Sequence, residues 1–149
     1  DLATEDRLVA DTVGVAGSRV VSEEEDSIGG FDESLPILHD TDFCWRLQRR
    51  GVQLHFVPEA VIHIRFRPSL KSIYRQAKGY GYYNVVLYTR YRQYGMPRLS
   101  RKRGLRAWWR LITTLPRIRS KAQYARWLRE YGWRVGRLQS SIKHHVFAL

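Results

Sequence analysis

The spacing of hydrophobic and polar residues predicts strands and a helix in the first part of the chain. Residues 12–21 are small and β-branched, a pattern typical of a buried strand. Residues 41–50 form an amphipathic helical pattern, and Gly51 follows as a C-terminal stop. Residues 52–57 predict a second strand, and residues 60–66, where apolar and polar side chains alternate, predict a third. This order of elements predicts an α/β fold.

The second part of the chain has helical periodicity instead. One long helix is predicted over residues 69–94, with soft breaks at Gly79 and Gly81. Residues 100–106 are rich in Lys and Arg and predict a basic linker. A short segment around residues 108–112 follows and runs until the next proline.

A final helix is predicted after Ser120, which has the side chain of an N-cap residue, and it reaches about Val146. Apolar side chains recur along it at alternating spacings of three and four: Tyr124, Leu128, Tyr131, Val135, Leu138, Ile142 and Val146. Basic side chains are expected on the opposite face: Arg126, Arg129, Arg134, Arg137 and Lys143. The helix is therefore predicted to be amphipathic, with an apolar stripe and a cationic face.

Charge is distributed very unevenly along the chain. Residues 1–59 contain 13 acidic and 5 basic side chains, whereas residues 60–149 contain 1 acidic and 21 basic side chains. Such an excess of positive charge indicates an anionic partner, which is a phosphate group, a nucleic acid or an acidic membrane surface. Composition alone leaves these three open.

Cysteine content and hydropathy indicate a compartment. The lone Cys44 excludes an intrachain disulfide, and no apolar run approaches the roughly 18 to 20 residues that span a bilayer. We therefore expect cytoplasmic residence. The sequence begins at Asp1, has no signal-peptide pattern, and contains Met96 as its one methionine, so we expect a fragment, a processed product or a trimmed chain.

Candidate chemistry is concentrated at a loop-to-helix junction. A glycine turn at residues 29–33 precedes the segment 39–46, which contains Asp40 and Asp42. A carboxylate at such a junction can act as a general base that a substrate hydroxyl reaches. The alternative is structural: Asp40 caps the helix, and Asp42 interacts with the helix dipole and with Arg46 four residues later. The two interpretations are compatible.

These motifs together resemble a known family. Gly-Gly-Phe-Asp-Glu, then an acidic pair before Cys-Trp-Arg-Leu, then Gly-Val-x-Leu-x-Phe-Val-Pro-Glu-Ala-Val-Ile-His are similar to the C-terminal part of family 2 glycosyltransferases, over about residues 13–96. The resemblance implies an inverting enzyme of the GT-A fold that uses a nucleotide-sugar donor. It assigns residues 1–96 to the acceptor-side portion of that α/β domain. Residues 97–149 form a basic, Trp-rich helical extension, similar to extensions on actinobacterial members.

The resemblance also implies roles for individual residues. Asp40 takes the position of the base in an acidic pair whose first member is His39 here, and Asp42 is the nearby second carboxylate. His63 takes the position of a histidine that completes a divalent-metal site, for Mg²⁺ or Mn²⁺. An upstream Asp-x-Asp segment should supply further ligands, and the one Asp-x-Asp in this chain, at residues 40–42, belongs to the acceptor motif. The remaining metal ligands and the donor-binding half are therefore expected outside this chain.

Further candidates surround these residues in the predicted elements. Guanidinium and amide groups suited to a diphosphate are those of Arg65, Arg67, Arg75 and Gln76. A solvated basic surface is the alternative for them. Trp45 either stacks on a sugar ring or fills the core. Structural support is expected from Gly29, Gly30 and Arg46.

The resemblance implies transfer of a sugar from a nucleotide-sugar donor to a saccharide or lipid-linked acceptor, and it alone implies a role in cell-envelope polysaccharide or glycolipid synthesis. The alternative is a non-catalytic fragment that binds a membrane or a partner. The basic extension either lies on an anionic membrane, at the inner face of the plasma membrane, or packs on the domain or on another subunit. Nucleic-acid binding fits the composition, but no helix-turn-helix, zinc or ribonucleoprotein motif supports it.

Overall fold

The computed structural model describes residues 29–53, 61, 63, 69–97 and 100–147. These residues contain four α-helices and two short 3₁₀ helices. The chain divides into two compact units, residues 1–65 and residues 66–149. The first unit contains one of the described helices, and the second contains the other three.

Helix α1 comprises His39–Arg49 and begins two residues before the predicted start. Its C-terminus has the hydrogen bonds of a Schellman motif, since the N–H of Gly51 donates to Gln48 O at 3.0 Å and that of Val52 to Leu47 O at 3.2 Å. Gly51 has a φ of 88°, which confirms it as the helix stop. Val52 then packs on the cluster of buried side chains of α1, formed by Phe43, Cys44 and Leu47.

The described residues contain no strand, so they do not confirm the predicted α/β fold. The first two residues of the predicted strand 52–57 have no regular secondary structure, because Val52 completes the end of α1. The two described residues of the predicted strand 60–66 also lack it. The rest of both segments, and the predicted strand 12–21, lie outside the described residues.

Helix α2 comprises Leu70–Tyr91, and a 3₁₀ helix, Arg92–Tyr94, continues it. Ser69 caps its N-terminus by accepting a hydrogen bond from the N–H of Ser72 at 3.2 Å. Gly95, with a φ of 93°, ends the segment. The predicted helical span 69–94 is thus confirmed, and it runs through Gly79 and Gly81 as a continuous helix.

Helix α3 comprises Arg101–Thr114, and the 3₁₀ helix Leu115–Arg117 ends it. The prediction of a basic linker over residues 100–106 was wrong, because these residues form the first turns of α3. Lys, Arg and Leu all favour the helix, and solvent screens the repulsion between their exposed charges. High positive charge is therefore no sign of a linker here.

Helix α4 comprises Lys121–Lys143 and confirms the predicted cap at Ser120. Ser120 and Gln123 form a capping box, in which the Ser120 hydroxyl accepts from Gln123 N and the Gln123 side chain accepts from Ser120 N, both at 3.2 Å. The helix ends three positions before the predicted end at Val146.

Helices α2 and α4 pack closely through glycine residues. A Cβ on Gly136 would overlap the carbonyl oxygen of Lys78, and one on Gly81 would overlap the carbonyl oxygen of Trp133. The backbones therefore approach closely at points where one of the two helices has a glycine. Gly81 is a packing residue and not the predicted break.

The contacts between α2 and α4 advance in the same direction along both helices. The rings of Tyr74 and Tyr131 stack with centroids 6.0 Å apart. Farther along, the Lys143 ammonium lies 5.7 Å from the ring centroid of Tyr82. The two helices therefore run parallel, and α3 lies between them in the sequence.

The buried face of α4 differs from the predicted apolar stripe. Its buried residues are mostly small, namely Gly132, Gly136, Arg137, Ser140 and Ser141. Arg137, predicted on the exposed cationic face, is only 8% exposed, whereas Ile142 of the predicted stripe is 66% exposed. The physical reason is the close approach of α2, which requires small side chains at the contact and turns the larger apolar ones away from it.

Helix α3 packs against α4 through aromatic side chains. The indole N–H of Trp127 donates to the carbonyl oxygen of Leu111 at 2.9 Å. Trp127 stacks between Tyr124 and Tyr131, and Trp108 meets Tyr131 edge to face with centroids 6.3 Å apart. These contacts fix the α3–α4 hairpin.

The predicted division between residues 1–96 and 97–149 falls between α2 and α3, inside the second compact unit. Most of the described residues in the range 97–149 belong to α3, α4 and the 3₁₀ helix between them. Assignment of residues 1–96 to a GT-A portion stays a prediction. No helix within the described ranges is long and apolar enough to cross a bilayer.

Candidate active site

The glycine turn folds back onto the start of α1. Gly29 and Gly30 have φ angles of 76° and 67°, which L-residues with a side chain rarely adopt. The turn places the Phe31 ring 4.7 Å from the Phe43 ring, centroid to centroid, and 5.3 Å from the His39 ring in an edge-to-face contact. The glycine pair therefore supports the site by packing the loop on the helix.

Arg46 ties the same loop to α1 through hydrogen bonds. Its Nε donates to Asp42 Oδ2 at 2.8 Å, and its Nη2 donates to the carbonyl oxygen of Gly30 at 2.6 Å. The Asp42 side chain is 1% exposed, so its charge requires such a partner. The predicted pairing of Asp42 with Arg46 is confirmed, and the bracing role of Arg46 stays a prediction.

The N-terminus of α1 differs from the structural alternative, in which Asp40 caps the helix. Leu38 is the N-cap residue, with a φ of 66° and no side-chain hydrogen bond to the helix. Asp40 lies inside the first turn, where its Oδ1 accepts from the N–H of Thr41 at 2.8 Å. Asp40 is therefore a first-turn residue of α1 and not its N-cap.

Leu38 was not predicted as part of the site. A left-handed φ at a leucine costs about 1 kcal/mol, and such strain is concentrated at functional sites. No signal in the sequence could identify it, since neither glycine nor asparagine occupies the position.

Asp40 also acts on the buried Cys44, one helical turn away. Burial, and after it the negative charge of Asp40, together raise the pKa of the Cys44 thiol from 9.0 to about 11. The thiol is therefore protonated at neutral pH and is not a nucleophile. The carboxylates are the reactive candidates of α1.

The two carboxylates of the site differ in access. Asp40 is half-buried and reaches solvent, whereas Asp42 is buried against Arg46. A base must contact the hydroxyl from which it takes a proton. Of the two predicted catalytic residues, Asp40 is accessible to a substrate hydroxyl, whereas Asp42 is buried and paired with Arg46.

The other predicted site residues are placed as follows. Trp45 is half-buried on α1, and His63 is exposed, outside any helix or strand. Arg75 and Gln76 are exposed on α2, in the second compact unit. Arg65 and Arg67 lie outside the described residues.

The described residues also bear on the predicted divalent-metal site. Within the described ranges, no group of three His, Cys, Asp or Glu side chains could hold a metal ion. These residues therefore do not by themselves form the expected Mg²⁺ or Mn²⁺ site around His63.

Comparison with known proteins identifies the family. The family model described as Glycosyl transferase family group 2 matches residues 9–142. Pre-mycofactocin glycosyltransferases from two strains of Mycobacterium tuberculosis, CDC 1551 / Oshkosh and ATCC 25618 / H37Rv, are each 31% identical over 81 residues. That alignment covers 54% of this chain and 17% of each relative. No solved structure matches the chain. Because the family model covers well over half of its length, the chain belongs to the glycosyl transferase family group 2.

Proposed function

We propose that this chain is the acceptor-side part of a glycosyltransferase of GT-A type, which transfers a sugar from a nucleotide-sugar donor to an acceptor hydroxyl with inversion. Family membership supports sugar transfer in general. The observation that carries the residue assignment is the position of Asp40, solvent-accessible in the first turn of a helix whose orientation Arg46 fixes.

In the proposed reaction Asp40 accepts the proton of the acceptor hydroxyl while the hydroxyl oxygen attacks the anomeric carbon of the donor sugar. The bond from that carbon to the diphosphate breaks on the opposite side, and the nucleoside diphosphate leaves. This in-line geometry inverts the anomeric centre and needs one base on the acceptor side. Asp42 holds Arg46, and Arg46 holds the loop, so both act by positioning Asp40.

Other groups complete the proposal. Trp45 contacts a sugar ring. Arg65, Arg67, Arg75 and Gln76 stay candidates, from the sequence, for binding the leaving diphosphate. His63 supplies one ligand to a divalent cation whose other ligands come from outside this chain. Within the described ranges no three His, Cys, Asp or Glu side chains are grouped so that they could hold a metal ion. No step of the proposed reaction is therefore assigned to that cation.

Replacement of Asp40 tests the proposal directly. We expect Asp40→Asn to lower kcat by about 100-fold or more, because a positioned base contributes about that factor, while donor affinity changes little. Transfer is measured on the polypeptide encoded by the complete reading frame that contains this chain, with donor binding followed by calorimetry.

Glu33→Gln is the matched control for Asp40→Asn. It removes one carboxylate from the same loop-and-helix segment, and the Glu33 side chain is exposed. Its turnover should equal that of the parent protein. Turnover of Asp40→Asn within a few-fold of the parent would remove Asp40 from the base role.

The acceptor is proposed to be a saccharide or a lipid-linked molecule of the cell envelope. The names of the relatives favour a second candidate, which is pre-mycofactocin. An assay that offers both acceptor types with the same donor distinguishes them. A non-catalytic fragment is the alternative to both, and a native start codon directly before Asp1 would favour it over the enzyme.

A second part of the proposal concerns location at the inner face of the plasma membrane, and α3 supports it. Three apolar side chains of α3 share one face and are exposed by 64% (Leu105), 67% (Trp109) and 63% (Ile112). We call them the α3 strip. The exposed Lys102, Arg103, Arg106 and Arg110 adjoin it. Apolar side chains beside cations suit the headgroup region of an anionic bilayer.

Two isoleucines of nearly equal exposure provide the test of membrane attachment. We expect Ile112→Asn in the α3 strip to lower binding to vesicles that contain phosphatidylglycerol about tenfold, as measured by sedimentation. Ile142→Asn on α4, where the isoleucine is 66% exposed, should change it little. Equal losses would reject the α3 strip. Loss of a dimer in Ile112→Asn, seen by light scattering, would assign the strip to a second copy of the chain instead.

A further inference from the structure

A cleft between α3 and α4 has no role in the proposed sugar transfer. It lies where the hairpin turns at the 3₁₀ helix Leu115–Arg117 and encloses about 370 Å³. That volume is at the lower end of the range for small-molecule sites, which is about 300 to 1,000 Å³. The cleft is large enough for a phosphate or diphosphate group with its first water molecules.

Arginine dominates the lining of this cleft. Five arginines from both helices and from the turn line it, namely Arg110, Arg117, Arg126, Arg129 and Arg134. Among the described residues that line it, Glu130 is the one carboxylate. We call this site the arginine cleft. Its net charge is strongly positive, which favours an anion inside it.

The cationic side chains that line the arginine cleft indicate which class of anion it can bind. Every cation in the lining is a guanidinium, although the two helices also contain lysines, such as Lys102 and Lys121. Guanidinium groups bind phosphate oxygens through paired, planar hydrogen bonds, whereas an ammonium acts as a point charge. A cleft whose cationic side chains are all arginines is suited to a phosphate ester.

Three side chains in the wall of the arginine cleft are held by hydrogen bonds within the protein. Trp127, which lines it, is held by the hydrogen bond from its indole N–H to Leu111. Gln123 accepts from the backbone N–H of Arg119 at 2.8 Å and belongs to the capping box at Ser120. Arg117 Nη1 donates to Thr113 O at 2.7 Å. Such preorganisation lowers the entropic cost of binding.

We propose that the arginine cleft is a binding site for a phosphate or diphosphate group, carried either by a lipid headgroup or by a soluble phosphate ester. The site lies entirely within the second compact unit and does not depend on Asp40. If experiment rejects the anion site, the proposed sugar transfer is therefore unaffected. If experiment rejects the sugar transfer, the proposed anion site is likewise unaffected.

Calorimetric titration of the whole chain with pyrophosphate at constant ionic strength tests the site. We expect saturable binding with one site per chain, and Arg126→Gln/Arg129→Gln should weaken it at least tenfold. Lys71→Gln/Arg92→Gln is the matched control, since it removes the same charge from exposed positions outside the cleft. Binding that does not saturate, or an equal loss in both double variants, would overturn the proposal.

A second measurement keeps the test valid if a variant folds poorly. In the parent protein, pyrophosphate should shift the NMR signal of the Trp127 indole N–H, which lies in the wall of the cleft, more than that of the exposed Trp109 indole. Equal shifts at both indoles would mean that the anion binds to the general basic surface. That result would also overturn the proposal.

Vesicles distinguish the two sources of the phosphate group. If Arg126→Gln/Arg129→Gln lowers binding to phosphatidic acid vesicles and to pyrophosphate alike, the ligand is a lipid headgroup. If only pyrophosphate binding falls, the ligand is a soluble phosphate ester. A single-stranded RNA that binds through the same arginines and is not displaced by pyrophosphate would contradict both sources.

Discussion

In the first compact unit Gly30 and Gly51 lie in turns with left-handed φ angles, whereas in the second Gly81 and Gly136 lie inside helices. A Cβ on either turn glycine would meet no atom within 4 Å, so only the backbone conformation requires glycine there. A Cβ on either helix glycine would overlap the backbone of the partner helix. The same residue type therefore serves a local conformation in one unit and a long-range contact in the other.

This difference sets how strongly each unit responds to mutation. A strained φ affects one residue and costs about 1 kcal/mol. An added Cβ that overlaps the backbone of the partner helix displaces a whole helix, so it costs more than a strained φ. The predictions below test whether the first unit depends on local backbone and charge, and the second on backbone contact.

The largest effect is expected for Gly136→Ala. The added methyl group must separate α4 from α2 at the Lys78 carbonyl, and we expect the free energy of unfolding of the second unit to fall by about 3 kcal/mol. Urea unfolding and hydrogen exchange of the α2 and α4 amides measure the loss.

Gly51→Ala is the matched comparison for Gly136→Ala. It adds the same methyl group at a position with open space and a φ of 88°, so a loss of about 1 kcal/mol is expected, confined to α1. If the two alanine variants lost equal stability, the contrast between the two kinds of glycine would be wrong.

An intermediate effect is expected for Asp42→Asn. The variant removes the charge that Arg46 contacts inside the first unit, and hydrogen bonds between charged groups contribute about 2 kcal/mol. We expect a loss of that size in urea unfolding, together with faster hydrogen exchange in α1.

A double-mutant cycle isolates the interaction between Asp42 and Arg46. Arg46→Gln alone should also release the Gly30 carbonyl, so it should cost at least as much as Asp42→Asn. The two losses should add to more than the loss of the double variant. Strict additivity would show that the ion pair contributes nothing to α1.

At neutral pH the smallest effect on stability is that of Cys44, which appears only at alkaline pH. Because folding raises the pKa of this thiol from 9.0 to about 11, its contribution to stability is complete below about pH 9 and is lost as the pH rises to about 11. At pH 8 the folded protein should contain about 100-fold less thiolate than the unfolded chain, so iodoacetamide should react correspondingly slowly.

Asp40→Asn provides the test of the charge effect on Cys44. The variant removes the negative charge that helps to raise the Cys44 pKa, so alkylation of the folded protein should become faster. Glu33→Gln should leave the rate unchanged. No difference between the two variants would mean that burial alone controls the thiol.

Features with local causes were predictable from the sequence. Gly51 marked the end of α1, Ser120 marked the start of α4, and the spacing of Asp42 and Arg46 gave their ion pair. Each depends on residues within about four positions of one another. The candidate base was found by the resemblance of its motif to a family.

Features that depend on distant contacts were not predictable in the same way. Periodicity alone placed the buried face of α4 on its large apolar residues, because it contains no information on how closely α2 approaches. For the same reason Gly81 looked like a break and Arg137 like an exposed cation. Leu38 adopts a left-handed conformation that its residue type gave no reason to expect.

The hydrogen bond from Arg46 to Gly30 closes a loop of 16 residues. A loop of about that length closes in roughly 10 to 100 ns, and its entropic cost is modest. The contact between Gly81 and Trp133 must instead bring together residues that lie much farther apart in the sequence. During folding, the segment with the candidate base can therefore assemble early, before the helices of the second unit find one another.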